Sequence, residues 1–183
     1  MTEREKQLNE EWFDLTDPEL KAIRIKCNEA MCRYNQLDNY KREERTAILK
    51  EIFGHIGEDS NVKSAFYCDY GVNIFLGDRV FVNCNCVFTD VGIIEIGDDT
   101  LIGPQVGIYA VNHPLDPDMR KSGIERAGHV KIGKNCWIGG HATINPGVTL
   151  GDNVVVASGA VVTKSFGDNV LIGGVPAKIL KEL

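Results

Sequence analysis

The chain has 183 residues, 43% of them hydrophobic and 25% charged, with a net charge of -6 at neutral pH. That length suits one domain, or one domain with a small appendage. An acidic chain offers no basic face for nucleic acid. No run of eighteen apolar residues suggests a membrane span, and the polar start lacks the apolar core of a signal peptide, so a cytoplasmic setting is expected.

Composition divides the chain. Residues 1–60 hold 10 Lys/Arg and 14 Asp/Glu, whereas the remaining 123 residues hold 10 and 12. No glycine precedes Gly54. The division predicts a polar helical cap over residues 1–55 and a packed unit over 56–183. Within the cap, Asp17-Pro18 reads as an N-cap followed by proline at the first helical position. Leu20, Ile23, Cys27, Ala30, Met31 and Tyr34 continue as a helical stripe. A second helix is expected near 41–53, with Ala47, Ile48, Ile52 and Phe53 inward.

The second unit is periodic. Ile132, Ile138, Ile144, Leu150, Val156 and Val162 fall six apart, and Gly133, Gly139 and Gly151 follow three of them. Such a unit is too short to bury its aliphatic residue alone, so stacked units must bury them in one column. Ile56 and Val62, then Leu76, Val82, Phe88 and Ile94, then Ile96, Ile102 and Ile108 extend the period upstream. The phase slips by two between Ile94 and Ile96, which suits a small bulge at a corner. The helical segment is expected to cover the open end of the stack, where bare strand edges invite pairing.

The rhythm stops after Ile108 and resumes at Ile132. The interruption, residues 109–129, is expected as a long unpatterned loop, and such loops inside compact domains are commonly functional. It contains Asn112-His113-Pro114 and Glu125. His113 is the residue there suited to proton transfer near neutral pH. The plainer reading is a surface histidine without a role, but the flanking proline and the site of the break favour function. The six cysteines are read as reduced thiols. Cys84 and Cys86, two apart, are placed on one strand face as small buried hydrophobes rather than as metal ligands.

These residues carry a family resemblance over nearly the whole chain. The segments are residues 12–20 (WFDLTDPEL), 67–71 (YCDYG), 112–114 (NHP), 137–140 (WIGG), 144–148 (INPGV), 157–164 (ASGAVVTK) and 174–178 (GVPAK). The chain resembles the maltose/galactoside O-acetyltransferases, hexapeptide-repeat acyltransferases that use acetyl-CoA. The resemblance implies a mainly β fold, a single-stranded left-handed parallel β-helix with an N-terminal helical cap and an extruded loop. Handedness comes from the resemblance alone, because parallel crossovers are otherwise almost always right-handed.

By the same resemblance, His113 is the general base that activates an acceptor hydroxyl, and a backbone N–H around Gly140 meets the oxyanion. Asp69, Asn83 and Asp90 are placed on coil turns facing the His113 loop of the next subunit, to bind a small sugar of the maltose or glucose type. Val91 stands where the galactoside branch can carry a second acid. Asp14 reaches the acceptor from the cap, with Asp17 competing for that assignment. Glu125 either orients His113 or binds the sugar, or is a solvated loop acid. For acetyl-CoA, Thr163, Lys164, Lys178 and Lys181 are expected at the phosphates, and Gly103, Gly140 and Ser158 along the pantetheine arm. Trp137 lies on that cleft or at a subunit contact. Family members are trimers with sites between subunits, so a homotrimer is expected. Two other classes stay open: a γ-class carbonic-anhydrase-like zinc enzyme using His113, His129 and His141, and a non-catalytic solenoid scaffold. His129 stands where relatives often place proline.

Overall fold

The computed structural model describes residues 1–183. Short strands stack in parallel into three faces of a prism. The first face holds His55–Ile56, Ile74–Leu76, Ile94–Ile96, Val130–Ile132 and Thr149–Leu150. The second holds Asn61–Val62, Phe81–Val82, Leu101–Ile102, Trp137–Ile138, Val155–Val156 and Val170–Gly173, with Lys178–Glu182 added antiparallel at the end. The third holds Phe66–Cys68, Cys86–Thr89, Gly107–Tyr109, Thr143–Ile144 and Val161–Val162. The expected fold class, a parallel β-helix with a helical cap and an extruded loop, is the one adopted.

The six-residue period becomes vertical columns. Ile102, Ile138 and Val156 stand in register on the second face, and Ile108, Ile144 and Val162 on the third. Their side chains are all but fully buried. Each such burial contributes about 1.5–3 kcal/mol, so the stack rests on its aliphatic columns. The corner between the first and second faces turns through left-handed residues, among them Asp59, Arg79, Asp99, Asn135 and Asn153. Most are Asp or Asn, which tolerate that conformation best after glycine. The glycine before each such turn is required by crowding between coils: a Cβ on Gly77 would lie 2.3 Å from Asp98 Oδ1.

Coil length varies at one corner only. Leu76 pairs with Ile96, twenty positions on, while Ile132 pairs with Leu150, eighteen on. From the second face to the third the inward spacing stays at six, as in Val82 to Phe88 and Ile138 to Ile144. The additions therefore fall between the third face and the first. The phase slip at Ile94 is thus no bulge. Ile94 and Ile96 both point inward on one three-residue strand, and the extra pair of residues lies in the turn before it.

The cap contains helix α1 (Glu3–Leu8), helix α2 (Pro18–Gln36) and helix α3 (Arg42–Ile52). Asp17 caps α2 by accepting the Glu19 and Leu20 N–H groups at 2.9 and 3.2 Å. Cys27, Met31, Tyr34, Ile48, Leu49 and Ile52 join the coil interior in one core, so the helices close the end of the stack as the sequence implies.

Two features differ from the sequence expectation. The cap begins with α1, and strand Trp12–Asp14 follows it. The interruption 109–129 is ordered: Val111–Asn112, a short helix α4 (Pro117–Lys121), then Ile124–Ala127. The two strands of the interruption pair with each other, and the second pairs antiparallel with Trp12–Asp14, Phe13 standing opposite Glu125. The cap and the loop thus share a small sheet. Beneath it Phe13, Leu20, Tyr70, Val91 and Ala127 form a second core. Val91 belongs to that packing, which accounts for an apolar residue at its position.

His129 also gains an account. Its Nδ1 accepts the Ile93 N–H at 2.9 Å and its Nε2 lies 3.0 Å from the Leu8 carbonyl, so Nε2 carries the proton. Its own N–H donates to Glu10 at 2.6 Å. The side chain fastens the end of α1 to the coil, a bond that proline cannot make.

Candidate functional site

The lengthened corner gathers most of the acidic candidates. Asp69 and Asp90 sit on successive turns there, and His113 and Glu125 on the excursion from the next coil. His113 is half exposed, with Nε2 3.9 Å from Glu125 Oε1. That is ion-pair distance when the imidazole is protonated and longer than a hydrogen bond. Glu125 is largely covered. Loss of solvation raises its carboxyl above the ordinary range, opposed by the nearby His113 and Arg24, while Asp69 adds to the rise. Asp69 is also raised by partial desolvation and pulled back by Arg24.

These neighbours all belong to one chain. Within the protomer, pairing with Trp12–Asp14 folds the His113 loop back onto its own cap, which brings Glu125 to the Asp69 side of the corner. Asp90 is fully buried. Its Oδ1 accepts the Asp69 and Tyr70 N–H groups at 2.8 and 2.9 Å, and its Oδ2 has no partner. Burial pushes its carboxyl up to about 7, against the pull of those two backbone donors.

Arg24 escaped the sequence reading. It lies on the α2 stripe between Leu20 and Cys27, where a long cation reads as a solvated edge. Its Nη2 donates to the Leu15 carbonyl at 2.7 Å, and its guanidinium lies 5.8 Å from the centre of the Tyr70 ring. Arg4 was likewise unmarked. It donates to Asn73 Oδ1 at 2.7 Å, and Asn73 donates onward to the Asp90 and Val91 carbonyls at 2.7 and 3.1 Å. Asp14 stands exposed on the cap strand. Its Oδ1 accepts the Thr16 N–H and hydroxyl at 2.8 and 2.7 Å, and those bonds hold its carboxyl below the ordinary range. Asp17 spends one oxygen on the α2 cap as Asp14 spends one on Thr16, so each acid keeps its other oxygen free of hydrogen bonds.

Asn83, Gly103, Gly140 and Ser158 occupy a different corner, between the second and third faces. Strand Cys86–Thr89 separates Asn83 from Asp90; four residues span about 13 Å at roughly 3.3 Å each. Gly103 and Gly140 stack on adjacent coils, and a Cβ on Gly103 would lie 2.6 Å from the Gly140 nitrogen. The Gly140 carbonyl accepts from Gly159 at 2.9 Å, while its own N–H makes no bond within the chain. Trp137 and Leu101 pair side by side on the outer second face and are about half exposed. Thr163 and Lys164 lie exposed on the turn after the last strand of the third face, and Lys178 and Lys181 on the exposed terminal strand.

The three imidazoles proposed for zinc do not converge. His141 is a left-handed corner residue, His129 uses both ring nitrogens, and no three His, Cys, Asp or Glu side chains gather as a metal ion requires. Cys84 lies in the corner before its strand rather than on it; Cys86 is buried and bonds the Gly103 carbonyl at 3.2 Å. Cys27 and Cys68, not paired in the sequence reading, meet at 3.5 Å between α2 and the coil. A cleft of about 470 Å³ between α3 and the first coil, lined by Arg42, Thr46 and Glu58, touches none of the site residues.

Comparison with known proteins agrees with this architecture. The family described as "Maltose acetyltransferase hexapeptide capping motif" matches residues 6–57, and "Hexapeptide repeat of succinyl-transferase" matches residues 129–164. The galactoside O-acetyltransferase of Escherichia coli (strain K12) is 37% identical over 160 residues, covering 87% of this chain and 79% of that protein. A maltose O-acetyltransferase from Clostridium difficile 630 superposes with a TM-score of 0.97 at 42% identity, covering 100% of this chain and 98% of the other. A hexapeptide-repeat acetyltransferase from Vibrio cholerae, solved with acetyl-coenzyme A, superposes at 0.93 and 39% identity, covering 100% and 99%. With the capping motif, the interrupted repeat and relatives matched along nearly their whole length, the chain belongs to the maltose/galactoside O-acetyltransferase family of hexapeptide-repeat acetyltransferases.

Proposed function

We propose that the protein moves the acetyl group of acetyl-CoA to a hydroxyl of a small sugar, directly and without an acetyl-enzyme. The observation that carries this reading is the meeting of His113, Glu125, Asp69 and Arg24 at the lengthened corner. A sugar hydroxyl is a weak nucleophile at neutral pH, and a base within hydrogen-bond reach makes attack feasible. His113 Nε2 takes the hydroxyl proton as the oxygen bonds the thioester carbonyl carbon. The carbonyl electron pair moves to oxygen, and the unused Gly140 N–H is the proposed donor to it. The C–S bond then breaks, and the departing CoA thiolate takes the proton from His113. Glu125, beside the imidazole, stabilises the cation in between. Asp69 and Asp14 supply acceptors for the other sugar hydroxyls, and Asn83 both donates and accepts, while Asp90, fully buried, holds the turn that presents Asp69 instead of meeting the sugar.

This reading needs two copies of the chain. The base and the proposed oxyanion donor lie on different corners, so a neighbour's Asn83–Gly140 corner must face the His113 corner. Exposed Leu101 and Trp137, with Phe81 in register beside them, give that neighbour an apolar strip to cover. A homotrimer satisfies this by symmetry. Acetyl-CoA would lie along Gly103, Gly140 and Ser158, where absent side chains let the arm approach the backbone. Thr163, Lys164, Lys178 and Lys181 would meet its phosphates; lysine attracts phosphate as a point charge rather than a fork.

The test mixes the protein with acetyl-CoA and sugar acceptors and follows release of free thiol. Turnover is expected with at least one sugar, and His113→Ala should lose on the order of 10²–10⁴-fold in kcat. Wild-type turnover in a folded His113→Ala variant removes the base assignment. No thiol release with any acceptor favours a binding scaffold.

A further inference from the structure

Asp69 is also the end wall of a groove that leaves the corner and follows α2. The first part, about 430 Å³, runs between α2 and the turn at Cys68, with Lys21, Arg24, Ile25 and Asn28 on its helical side. The second, about 240 Å³, continues along the same helix past Met31 and Gln36 to Tyr67. Asn28 lines both, so the two are one path. Its helical wall from Lys21 to Gln36 is about 22 Å long at roughly 1.5 Å per residue, more than one sugar ring can span.

The lining has two kinds of group. The side chains of Lys21, Glu29 and Gln36 and the Asn28 amide nitrogen make no hydrogen bond within the protein, whereas Asn35 beside them spends both ends of its amide on the Phe66 backbone at 2.8 and 2.9 Å. Free donors and acceptors therefore line the path, apart from those the fold consumes. Tyr67 and Ile25 are about half exposed there, Tyr67 in register with Val87 on the neighbouring coil. An aromatic face beside free amides suits a pyranose, which has an apolar C–H face and a rim of hydroxyls. We infer that the groove along α2 is an acceptor subsite for further units of an oligosaccharide, with the acetylated unit at Asp69 and His113 and the chain running toward Tyr67. The proposal rests on the sugar-acetylation reading above.

The experiment compares kcat/KM for glucose, maltose and maltotriose in wild type and in Tyr67→Ala and Asn28→Ala, neither of which touches the proposed reacting atoms. Wild type should prefer maltotriose over glucose by about tenfold, a step of ~1.4 kcal/mol. Each variant should cut that preference severalfold while leaving the glucose value unchanged, and Tyr67→Phe should restore it. Equal rates for all chain lengths, or a preference intact in both variants, overturns the subsite. Binding separates this failure from failure of the chemistry. Saturation transfer from protein to maltotriose, read by NMR without acetyl-CoA, should occur in wild type and weaken in Tyr67→Ala even where no acetylation is seen. Its absence in wild type overturns the subsite whatever the enzyme's activity.

Discussion

Asp90 holds the turn that presents Asp69: one buried carboxylate oxygen accepts the Asp69 N–H at 2.8 Å. Because burial raises the Asp90 carboxyl to about 7, the folded state binds its proton more tightly than the unfolded chain does. Its contribution to stability is complete below the unfolded value near 4 and is lost as pH rises through about 7. Asp90→Asn keeps an acceptor for the turn without a titrating group. Thermal melts from pH 4 to 8 should show the variant gaining on wild type as pH rises, by on the order of 2–4 kcal/mol across the window. A difference that stays flat with pH contradicts the assignment.

Glu125→Gln removes the negative charge 3.9 Å from the His113 imidazole. The cation formed during attack then loses its nearest counter-charge, worth between about 1 and 4 kcal/mol at that distance in a partly solvated site. Steady-state kinetics should show kcat down about tenfold or more, with KM for acetyl-CoA little changed. An unaltered kcat assigns Glu125 to binding or to solvent.

Gly103→Ala and Gly167→Ala make a matched pair. A methyl at Gly103 meets the Gly140 nitrogen at 2.6 Å, while one at Gly167 meets nothing within 4 Å. Denaturant unfolding should place the first about 1–3 kcal/mol below wild type, the overpacking range, and the second within about 0.5 kcal/mol. Thiol release should fall only in the first, since it also displaces the proposed oxyanion donor.

His129→Ala leaves the Ile93 N–H without its partner and frees the end of α1. A loss of about 1–3 kcal/mol is expected. Hydrogen exchange should speed up at Ile93 and through α1 while the distant columns of Ile138 and Ile144 stay protected. Uniform loss of protection would show that the clip supports the whole stack.

The prism was legible because six-residue spacing is a local signal: Ile132 to Val162 announce their own inward direction. The two long cap helices were legible for the same reason, through the Leu20 to Tyr34 stripe and the Asp17-Pro18 start. The pairing of Phe13 with Glu125 was not, since it joins segments more than a hundred residues apart and three-residue strands carry no periodicity. Without that pairing, the loop looked unstructured. Arg4 and Arg24 were missed because a cation on a helix reads as solvated unless its acceptors, Asn73 and the Leu15 carbonyl, are known. The two-residue slip at Ile94 was visible in the sequence, but nothing local said that the surplus would sit in a turn holding an acid.

Confining every insertion to a single edge has an evolutionary corollary. Residues can be added between the third and first faces without disturbing the aliphatic columns, because that edge alone lies outside the strict rung. Descendants of such a chain are free to remodel what they accept while the opposite ridge, bound by glycine contacts between rungs, keeps its shape.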